Sequence, residues 1–211
     1  MKEVIIIGAG GYAKSVLDSI DKAQYVVAGF IDENTNKKSH LGHPIIAHSL
    51  NDKNINLKNY AFFVAIGNNE KRKKWFDELC KKRLDVITVI DKTAIVSNGA
   101  KIGKGCFVGK TAIINNGAKI GDNCVINTKS LIEHGCNVGD HANISTNSVI
   151  NGDVVVGEGS FLGSCSVTIG QIKIGKWSTV GAGAVVIRDV GNSVTVAGVP
   201  AKEISKDTML G

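Results

Sequence analysis

Residues 119–144, KIGDNCVINTKSLIEHGCNVGDHANI, carry an aliphatic side chain at every sixth position. The same phase runs without an insertion from Val96 to Val186, and fifteen of these sixteen positions are aliphatic, with Thr168 as the exception. A small residue follows four positions after most of the aliphatics, and glycine often follows directly. A six-residue period is typical of parallel β-helices, in which three short strands make one triangular coil and coils stack about 4.8 Å apart. We therefore predict about five stacked coils.

The first half of the chain follows another pattern. Residues 1–95 contain six glycines, whereas residues 96–211 contain nineteen. Apolar strand candidates at 4–7, 25–31, 60–66 and 86–90 are separated by a helix ending near residue 20 and a charged helix over 69–83. Such alternation indicates a parallel sheet covered by helices. We expect a Rossmann-like α/β domain over residues 1–92, followed by a β-helix domain with a C-terminal tail over residues 93–211.

Composition narrows the class of protein. The chain has 211 residues, of which 43% are hydrophobic and 5% aromatic, and a formal net charge of +6. The basic run at 71–74 has the character of a solvated helix face, and no nucleic-acid-binding motif accompanies it. No apolar run reaches the length of a membrane span, and the N-terminal apolar run is interpreted as a buried strand rather than a signal peptide. Five cysteines without CxxC pairs favour reduced thiols and a cytoplasmic location.

His134 is the candidate catalytic residue. It stands two positions after Ile132, a phase occupied mostly by polar residues, so its side chain is expected to face outward. With 18 residues in each coil, Asn116, His134, Gly152 and Gly170 fall in one column. The two glycines would leave bare backbone beside the imidazole, where a ligand carbonyl could lie. Histidine titrates near neutral pH and suits a general base, while an ordinary surface histidine is the alternative.

Neither a metal site nor a catalytic thiol is expected. A zinc site of the carbonic-anhydrase kind needs three histidines, and only His134 and His141 lie in the repeats. Cys106, Cys124 and Cys136 fall on the small-residue positions and are expected to point inward as core fillers.

A nucleotide-binding turn is predicted near the N-terminus. Residues 8–13, GAGGYA, follow a strand and open a helix, matching the glycine-rich form that binds phosphate. Asp32 ends the next strand, where it could accept from a ribose or sugar hydroxyl. About ninety residues provide only one mononucleotide half of such a fold, which favours a nucleotide diphosphate sugar over a dinucleotide. The alternative is a degenerate domain kept for packing.

Five segments together carry a family resemblance: GAGGYAK, FIDE, FFVAIGNNEKRKK, SLIEHGCNVGDHANIS and VAGVPAK. The chain resembles the hexapeptide-repeat sugar acetyltransferases, which include sialic acid O-acetyltransferases and the N-acetyltransferases of UDP-4-amino sugars of the bacillosamine pathway, GDP-perosamine and dTDP-viosamine. The resemblance implies a left-handed β-helix, acetyl-CoA as co-substrate, no metal, and a homotrimer with active sites between subunits.

The resemblance also implies roles for individual residues. His134 matches the catalytic base, and the usual acidic residue after the base is replaced by Gly135, so Asp140 or an acid from another subunit is expected to substitute for it. Asn143 stands where a second histidine often contacts the acetyl group, and His141 is expected to be a surface residue. The implied acetyl-CoA contacts are Asn143, Gly152, Ser164 and Ala182. The implied nucleotide-sugar contacts are Gly10, Gly11, Tyr12, Asp32, Glu33, Gly67 and Asn68, with Tyr12 in a position where many relatives have histidine.

The leading functional hypothesis is transfer of acetyl from acetyl-CoA to the amino group of a nucleotide-activated sugar, for surface glycan synthesis. One alternative is O-acetylation of a sugar hydroxyl, such as one on sialic acid, with the same base. A second is a non-catalytic β-helix scaffold that binds nucleotide sugars. The nucleotide, the sugar and the position acetylated stay open.

Overall fold

The computed structural model describes residues 1–204. The chain divides into two compact units, Met1–Ile90 and Asp91–Gly211. Residues 205–211, the end of the expected C-terminal tail, lie outside the described residues.

The first unit is an α/β domain. Its strands are β1 (Lys2–Ile7), β2 (Tyr25–Ile31), β3 (Ser39–His40), β4 (His43–Ala47), β5 (Ala61–Val64) and β6 (Asp85–Val86), with a further short strand at Val89–Ile90. The sheet has the order β4-β2-β1-β5-β6 with all neighbours parallel, and the short β3 pairs antiparallel with β4. The helices are α1 (Tyr12–Ser19), a 3₁₀ turn at Leu57–Asn59, and α2 (Asn69–Lys81).

The predicted alternation of strands and helices is confirmed for this unit. Residues 4–7 of β1 and 61–64 of β5 are buried because both faces of a parallel sheet are covered. The sequence predicted no strand between residues 31 and 60, where the structure has β3 and β4. Both strands are short and β4 contains Pro44, so neither carries the apolar run by which a central strand is recognised.

The second unit is a parallel β-helix with three faces. Face 1 consists of Phe107–Val108, Val125–Ile126, Asn143–Ile144, Phe161–Leu162, Thr179–Val180 and Thr195–Ala197. Face 2 consists of Ile95–Val96, Ile113–Ile114, Leu131–Ile132, Val149–Ile150, Val167–Thr168 and Val185–Val186. Face 3 consists of Lys101–Ile102, Lys119–Ile120, Asn137–Val138, Val155–Val156 and Lys173–Ile174. Lys202–Ile204 pairs antiparallel with the last strand of face 1.

The register confirms the predicted stacking. Each strand pairs with the strand 18 residues further along, as Ile114 does with Ile132 and Ile132 with Ile150. The last coil is two residues shorter, since Val180 pairs with Val196. Faces 1 and 2 each have six parallel strands within residues 91–204, slightly more than the predicted five coils.

The inward positions form one continuous core. The second residue of almost every strand is buried, and Cys106, Cys124 and Cys136 are fully buried among them, as predicted. Thr168, the exception in the aliphatic row, is also buried, and its hydroxyl accepts a hydrogen bond from the Asn151 N–H at 3.2 Å. Burial raises the pKa of the Cys136 thiol, which keeps it neutral.

The unusual backbone angles at the corners do not lie at the glycines that directly follow the aliphatics. Positive φ values occur two residues later, at all fourteen positions spaced by six from 105 to 183. Only five of those fourteen are glycine. The earlier glycines are needed for close stacking, because a Cβ on Gly157 would lie 2.6 Å from the Lys176 nitrogen of the next coil.

Within the described residues, no helix has the length and apolar character that crossing a bilayer requires.

Candidate active site

His134 lies at the corner between faces 2 and 3, in the column that the 18-residue period predicted. Its side chain is 67% exposed, and the Asp153 N–H donates to its carbonyl at 2.9 Å, which stacks this coil on the next. The imidazole lies against the backbone of Gly152, since a Cβ built on Gly152 would be 2.6 Å from Cε1 and 2.8 Å from Nε2 of His134. Gly152 is therefore the surface on which the ring rests.

The amide two positions after each inward aliphatic makes no hydrogen bond within the β-sheet ladder. At the corner between faces 3 and 1, side chains from the next coil accept from it, as Asp122 does from Lys104 N (2.9 Å) and Asp140 does from Asp122 N (2.8 Å). At Gly152 the next coil offers only Gly170. Among the residues described, no group accepts from the Gly152 N–H, so this donor is available to a ligand.

A second group of implied contacts lies at the corner between faces 1 and 2. The Ser164 and Ala182 N–H groups likewise find no acceptor in the described part of the chain, and the Ser164 hydroxyl lies 3.0 Å from that of Ser145. Asn143 is on face 1 with its side chain only 7% exposed, and its buried Oδ1 meets no donor within residues 1–204. A buried polar atom of this kind is usually satisfied by a partner or a ligand.

The structure thus brings His134 and Gly152 together, but places Asn143, Ser164 and Ala182 elsewhere in the same chain. Face 2 separates the two corners. Its outward residues form an apolar column that begins at Ile95, which is 60% exposed, and continues through five half-buried residues: Ile113, Leu131, Val149, Val167 and Val185. The corresponding positions on face 3 are mostly polar: Lys101, Lys119, Asn137, Val155 and Lys173. A continuous apolar column of this length on one face marks an interaction surface.

Two carboxylates lie near His134, and neither is the one that the sequence suggested. Asp153 Oδ1 is 4.0 Å from His134 Nδ1. Glu133 accepts from Asn115 Nδ2 at 3.0 Å and from the His134 N–H at 3.3 Å. Asp140 is at the corner between faces 3 and 1, where it accepts from the Asp122 N–H, so its expected role beside the imidazole in the same chain is wrong.

In the first unit, most of the implied nucleotide-sugar residues line one cleft of about 380 Å³. These are Gly10, Gly11, Tyr12, Asp32, Glu33 and Gly67. A Cβ on either Gly10 or Gly11 would meet nothing within 4 Å, so the turn is open to a ligand. No side chain caps the start of α1, which leaves its first amides for an anion. Asn68 is instead the N-cap of α2, where its side chain accepts from Lys71 N at 2.9 Å.

Asp32 holds the glycine-rich turn in place. Its Oδ2 accepts from the Ala9 N–H at 2.6 Å and its Oδ1 accepts from the Asn34 N–H at 2.8 Å. The carboxylate that was expected to meet a sugar hydroxyl thus also fixes the backbone on which the ligand would lie.

The basic run at 71–74 is not a uniformly solvated face. Arg72 is 1% exposed, and its Nη1 donates to Gly67 O at 3.1 Å and to Asn69 Oδ1 at 2.9 Å, which fixes the turn before α2. Lys71 and Trp75 line the cleft, and sequence analysis missed both. Their i, i+4 spacing at the start of a helix that follows a strand was the available indication.

We predict that Lys71 binds the diphosphate of the nucleotide sugar. Changing Lys71→Ala should raise the KM for the nucleotide sugar about tenfold, the loss of one charge-assisted contact, with kcat unchanged. Steady-state kinetics measures both constants. Lys74→Ala is the matched control, because Lys74 belongs to the same basic run but does not line the cleft. Equal effects of the two substitutions would contradict the assignment.

His141 was expected at the surface, and this is wrong. It is 5% exposed, with Nδ1 2.9 Å from Nδ2 of the buried Asn123. Position 141 falls two residues after the close-packed glycine, where the chain turns at the corner, so the residue is enclosed between coils. Within the described residues no group of three potential metal ligands occurs.

We also predict that Gly152→Ala lowers kcat by about 10²-fold, because the new methyl would displace the imidazole by roughly an ångström. The His134 ring is exposed and can move, so folding should be retained, as thermal unfolding would report. Gly191→Ala is the control, since a Cβ there would come no closer than 4.0 Å to the Val194 side chain. Unchanged turnover in Gly152→Ala would show that the contact between Gly152 and the imidazole does not matter for catalysis.

Comparison with known proteins gives three family matches along the chain. Residues 3–79 match the PglD N-terminal domain, residues 99–134 match the bacterial transferase hexapeptide (six repeats), and residues 153–188 match the hexapeptide repeat of succinyl-transferase. The order of these matches is that of the two units. They agree with an α/β domain followed by a left-handed parallel β-helix.

Individual relatives extend the comparison. A variant of perosamine N-acetyltransferase from Caulobacter crescentus, solved with CoA and GDP-perosamine, is 33% identical with a TM-score of 0.92, and the match covers 98% of each chain. The acetyltransferase domain of PglB from Neisseria gonorrhoeae is 29% identical with a TM-score of 0.91, over 97% of this chain and 100% of that one. UDP-N-acetylbacillosamine N-acetyltransferase of Bacillus subtilis (strain 168) is 36% identical over 114 residues, which is about half of either chain (51%).

Proposed function

The chain belongs to the family of hexapeptide-repeat sugar acetyltransferases, and from this premise we propose that it acetylates the amino group of a nucleotide-activated amino sugar with acetyl-CoA. The observation that carries the proposal is the exposed imidazole of His134 lying on Gly152, beside a backbone N–H with no acceptor in the described chain. The product would serve surface glycan synthesis.

The reaction is a direct transfer. The amine nitrogen of the sugar attacks the thioester carbonyl, and His134 takes the proton that the nitrogen loses. The backbone N–H of Gly152 would donate to the oxygen that becomes negative in the tetrahedral intermediate. The C–S bond then breaks, the amide forms, and the proton passes from the imidazole to the thiolate of CoA. The direct transfer needs no acyl-cysteine; Cys106, Cys124 and Cys136 are buried, whereas Cys165 is exposed.

We propose that the complete site forms between copies of the chain in a homotrimer. If three copies place face 2 around a threefold axis, the apolar column on that face becomes buried. The same arrangement brings the corner that carries His134 and Gly152 next to the neighbouring copy's Ser164 and Ala182 corner, because these two corners flank face 2. The uncapped amides at Ser164 and Ala182 would then bind the acetyl-CoA that His134 of the next copy uses.

The glycine-rich cleft of the first unit would bind the nucleotide diphosphate. Gly10 and Gly11 provide open backbone, Lys71 a cation and Trp75 an apolar wall. We propose a cytoplasmic location, which suits free cysteines.

Release of free CoA thiol tests the function. Purified protein would be incubated with acetyl-CoA and, in turn, with UDP-, dTDP- and GDP-linked 4-amino sugars and with free sialic acid. The proposal expects thiol release with one class of nucleotide amino sugar. Release with sialic acid alone would indicate O-acetylation, and no release with any acceptor would favour a binding scaffold.

A further inference from the structure

We infer that Asp153, which belongs to the coil after His134, is the carboxylate that orients the catalytic imidazole. The inference rests on the proposed function, because it assigns a positioning residue to the same base. The family resemblance implies an acidic residue at position 135, which is glycine here. Asp153 of the same chain would supply that carboxylate without a contribution from a neighbouring copy.

Asp153 is close to the imidazole, and its backbone is held against that of His134. Its Oδ1 is 4.0 Å from His134 Nδ1, within about 1 Å of hydrogen-bonding distance, and both side chains are more than half exposed and can close that gap. The Asp153 N–H donates to the His134 carbonyl at 2.9 Å, so the two residues are tied together through the backbone. A small side-chain rotation brings carboxylate and Nδ1 into contact.

Gly135 creates the space that Asp153 uses. A Cβ built on Gly135 would overlap the Asp153 carboxylate, with Asp153 Cγ at 3.2 Å. A side chain at 135 and the present Asp153 carboxylate therefore exclude each other. The resemblance implies an acid directly after the base, and this chain has Gly135 there. The Asp153 carboxylate of the next coil occupies the space that a side chain at position 135 would fill.

The other nearby acid has different partners. Glu133 directs its Oε2 at Asn115 Nδ2 and at the His134 backbone N–H, so its carboxylate stabilises the corner backbone rather than the ring. Among the described residues, Asp153 is the carboxylate that forms an ion-pair contact with His134.

The chemical consequence concerns which ring nitrogen carries the proton. A carboxylate at Nδ1 accepts from Nδ1–H and leaves the lone pair on Nε2, the atom that must take the proton from the amine. Without the carboxylate, we expect the imidazole to adopt the tautomer that free histidine prefers. In that tautomer Nε2 carries the proton and cannot act as the base. Protonation of Nε2 during the reaction gives an imidazolium that the carboxylate stabilises.

An exchange of the two side chains tests the inference. Asp153→Gly removes the acid, and Asp153→Gly combined with Gly135→Asp returns it from the neighbouring position. Both positions have positive φ, 60° at Asp153 and 68° at Gly135, a conformation in which glycine is unstrained and aspartate occurs more often than most other residues. Asp140→Asn is the matched control, because Asp140 is the acid suggested by sequence alone. Nitrogen-15 NMR of histidine-labelled protein reports the His134 tautomer without any substrate, and CoA release gives kcat and KM.

We expect Asp153→Gly to shift His134 from the Nδ1–H to the Nε2–H tautomer and to lower kcat about 10- to 100-fold, with the KM for acetyl-CoA unchanged. The exchange variant should restore the tautomer and most of the kcat, while Asp140→Asn leaves the tautomer unaltered. An unchanged tautomer in Asp153→Gly, or an exchange variant no better than Asp153→Gly, would overturn the inference. If the tautomer responds as expected but no amino sugar is acetylated, the positioning role stands and the proposed reaction fails.

Discussion

Replacing His134 with alanine is expected to lower kcat about 10²- to 10⁴-fold, the usual contribution of a general base. Binding of acetyl-CoA should change little, because the amides at Ser164 and Ala182 that would hold the donor are at the other corner of the coil. Steady-state CoA release gives kcat, and isothermal titration with acetyl-CoA gives the Kd. The fold should be unaffected, since the side chain is 67% exposed.

Lys176→Ala is the matched control for this substitution. Lys176 occupies the same phase as His134 relative to its strand, but at the corner between faces 3 and 1, where its amide is capped by Asn192. It should retain full turnover. Comparable turnover in His134→Ala and Lys176→Ala would remove the imidazole from the reaction.

Charges on face 2 are expected to abolish both assembly and activity. In Leu131→Glu combined with Val149→Glu, two carboxylates would enter the apolar column, and their burial without partners costs several kcal/mol each. The protein should then elute and scatter light as a single 22.2 kDa chain instead of a species three times that mass. Turnover should fall by at least about 100-fold, because the two corners would no longer meet.

Val155→Glu is the control on face 3, at the outward position six residues after Val149. It introduces one such carboxylate on a face whose neighbours are Lys119, Asn137 and Lys173, so mass and turnover should be retained. A monomeric parent protein, or a double variant that keeps its mass and turnover, would contradict the role of face 2.

The fold was predictable because stacking in a β-helix imposes its period on the sequence. Every coil repeats the same contacts, so an aliphatic row at six-residue spacing gives the strands, the inward face and the position of His134 in one step. Thr168 interrupts that row without interrupting the core, because its hydroxyl accepts from a backbone N–H. One polar residue in the row therefore does not disrupt the six-residue period when its hydroxyl is hydrogen-bonded inside the core.

Side-chain contacts between coils were not predictable in the same way. Asp153 and Asp140 both follow a strand end. The Asp153 carboxylate lies 4.0 Å from the His134 imidazole, whereas the Asp140 carboxylate accepts from the Asp122 N–H at a different corner. The choice depends on which residue of the neighbouring coil leaves room, as Gly135 of the preceding coil does for Asp153. Spacing assigns a residue to a corner but does not give the direction of its side chain.

In the first unit, the charge pattern of the sequence did not predict which side chains are buried or line the cleft. Arg72 lies within a run of four basic residues, and its burial follows from hydrogen-bond acceptors that the folded turn provides, among them Gly67 O and Asn69 Oδ1. Lys71 and Trp75 reach the cleft because α2 begins directly after the strand end. Such placements depend on tertiary packing, which a charge pattern alone does not encode.

Complementation in mixed trimers tests most directly whether His134 and the donor corner of neighbouring copies form one site. His134→Ala removes the base, and Ala182→Trp would block the donor corner, so each variant alone should be inactive. Co-expressed at equal levels, the two should assemble randomly and recover about a quarter of parental turnover, because about one interface in four pairs an intact base with an intact donor corner. A mixture as inactive as its components, although mixed trimers are isolated through two affinity tags, would contradict the shared site.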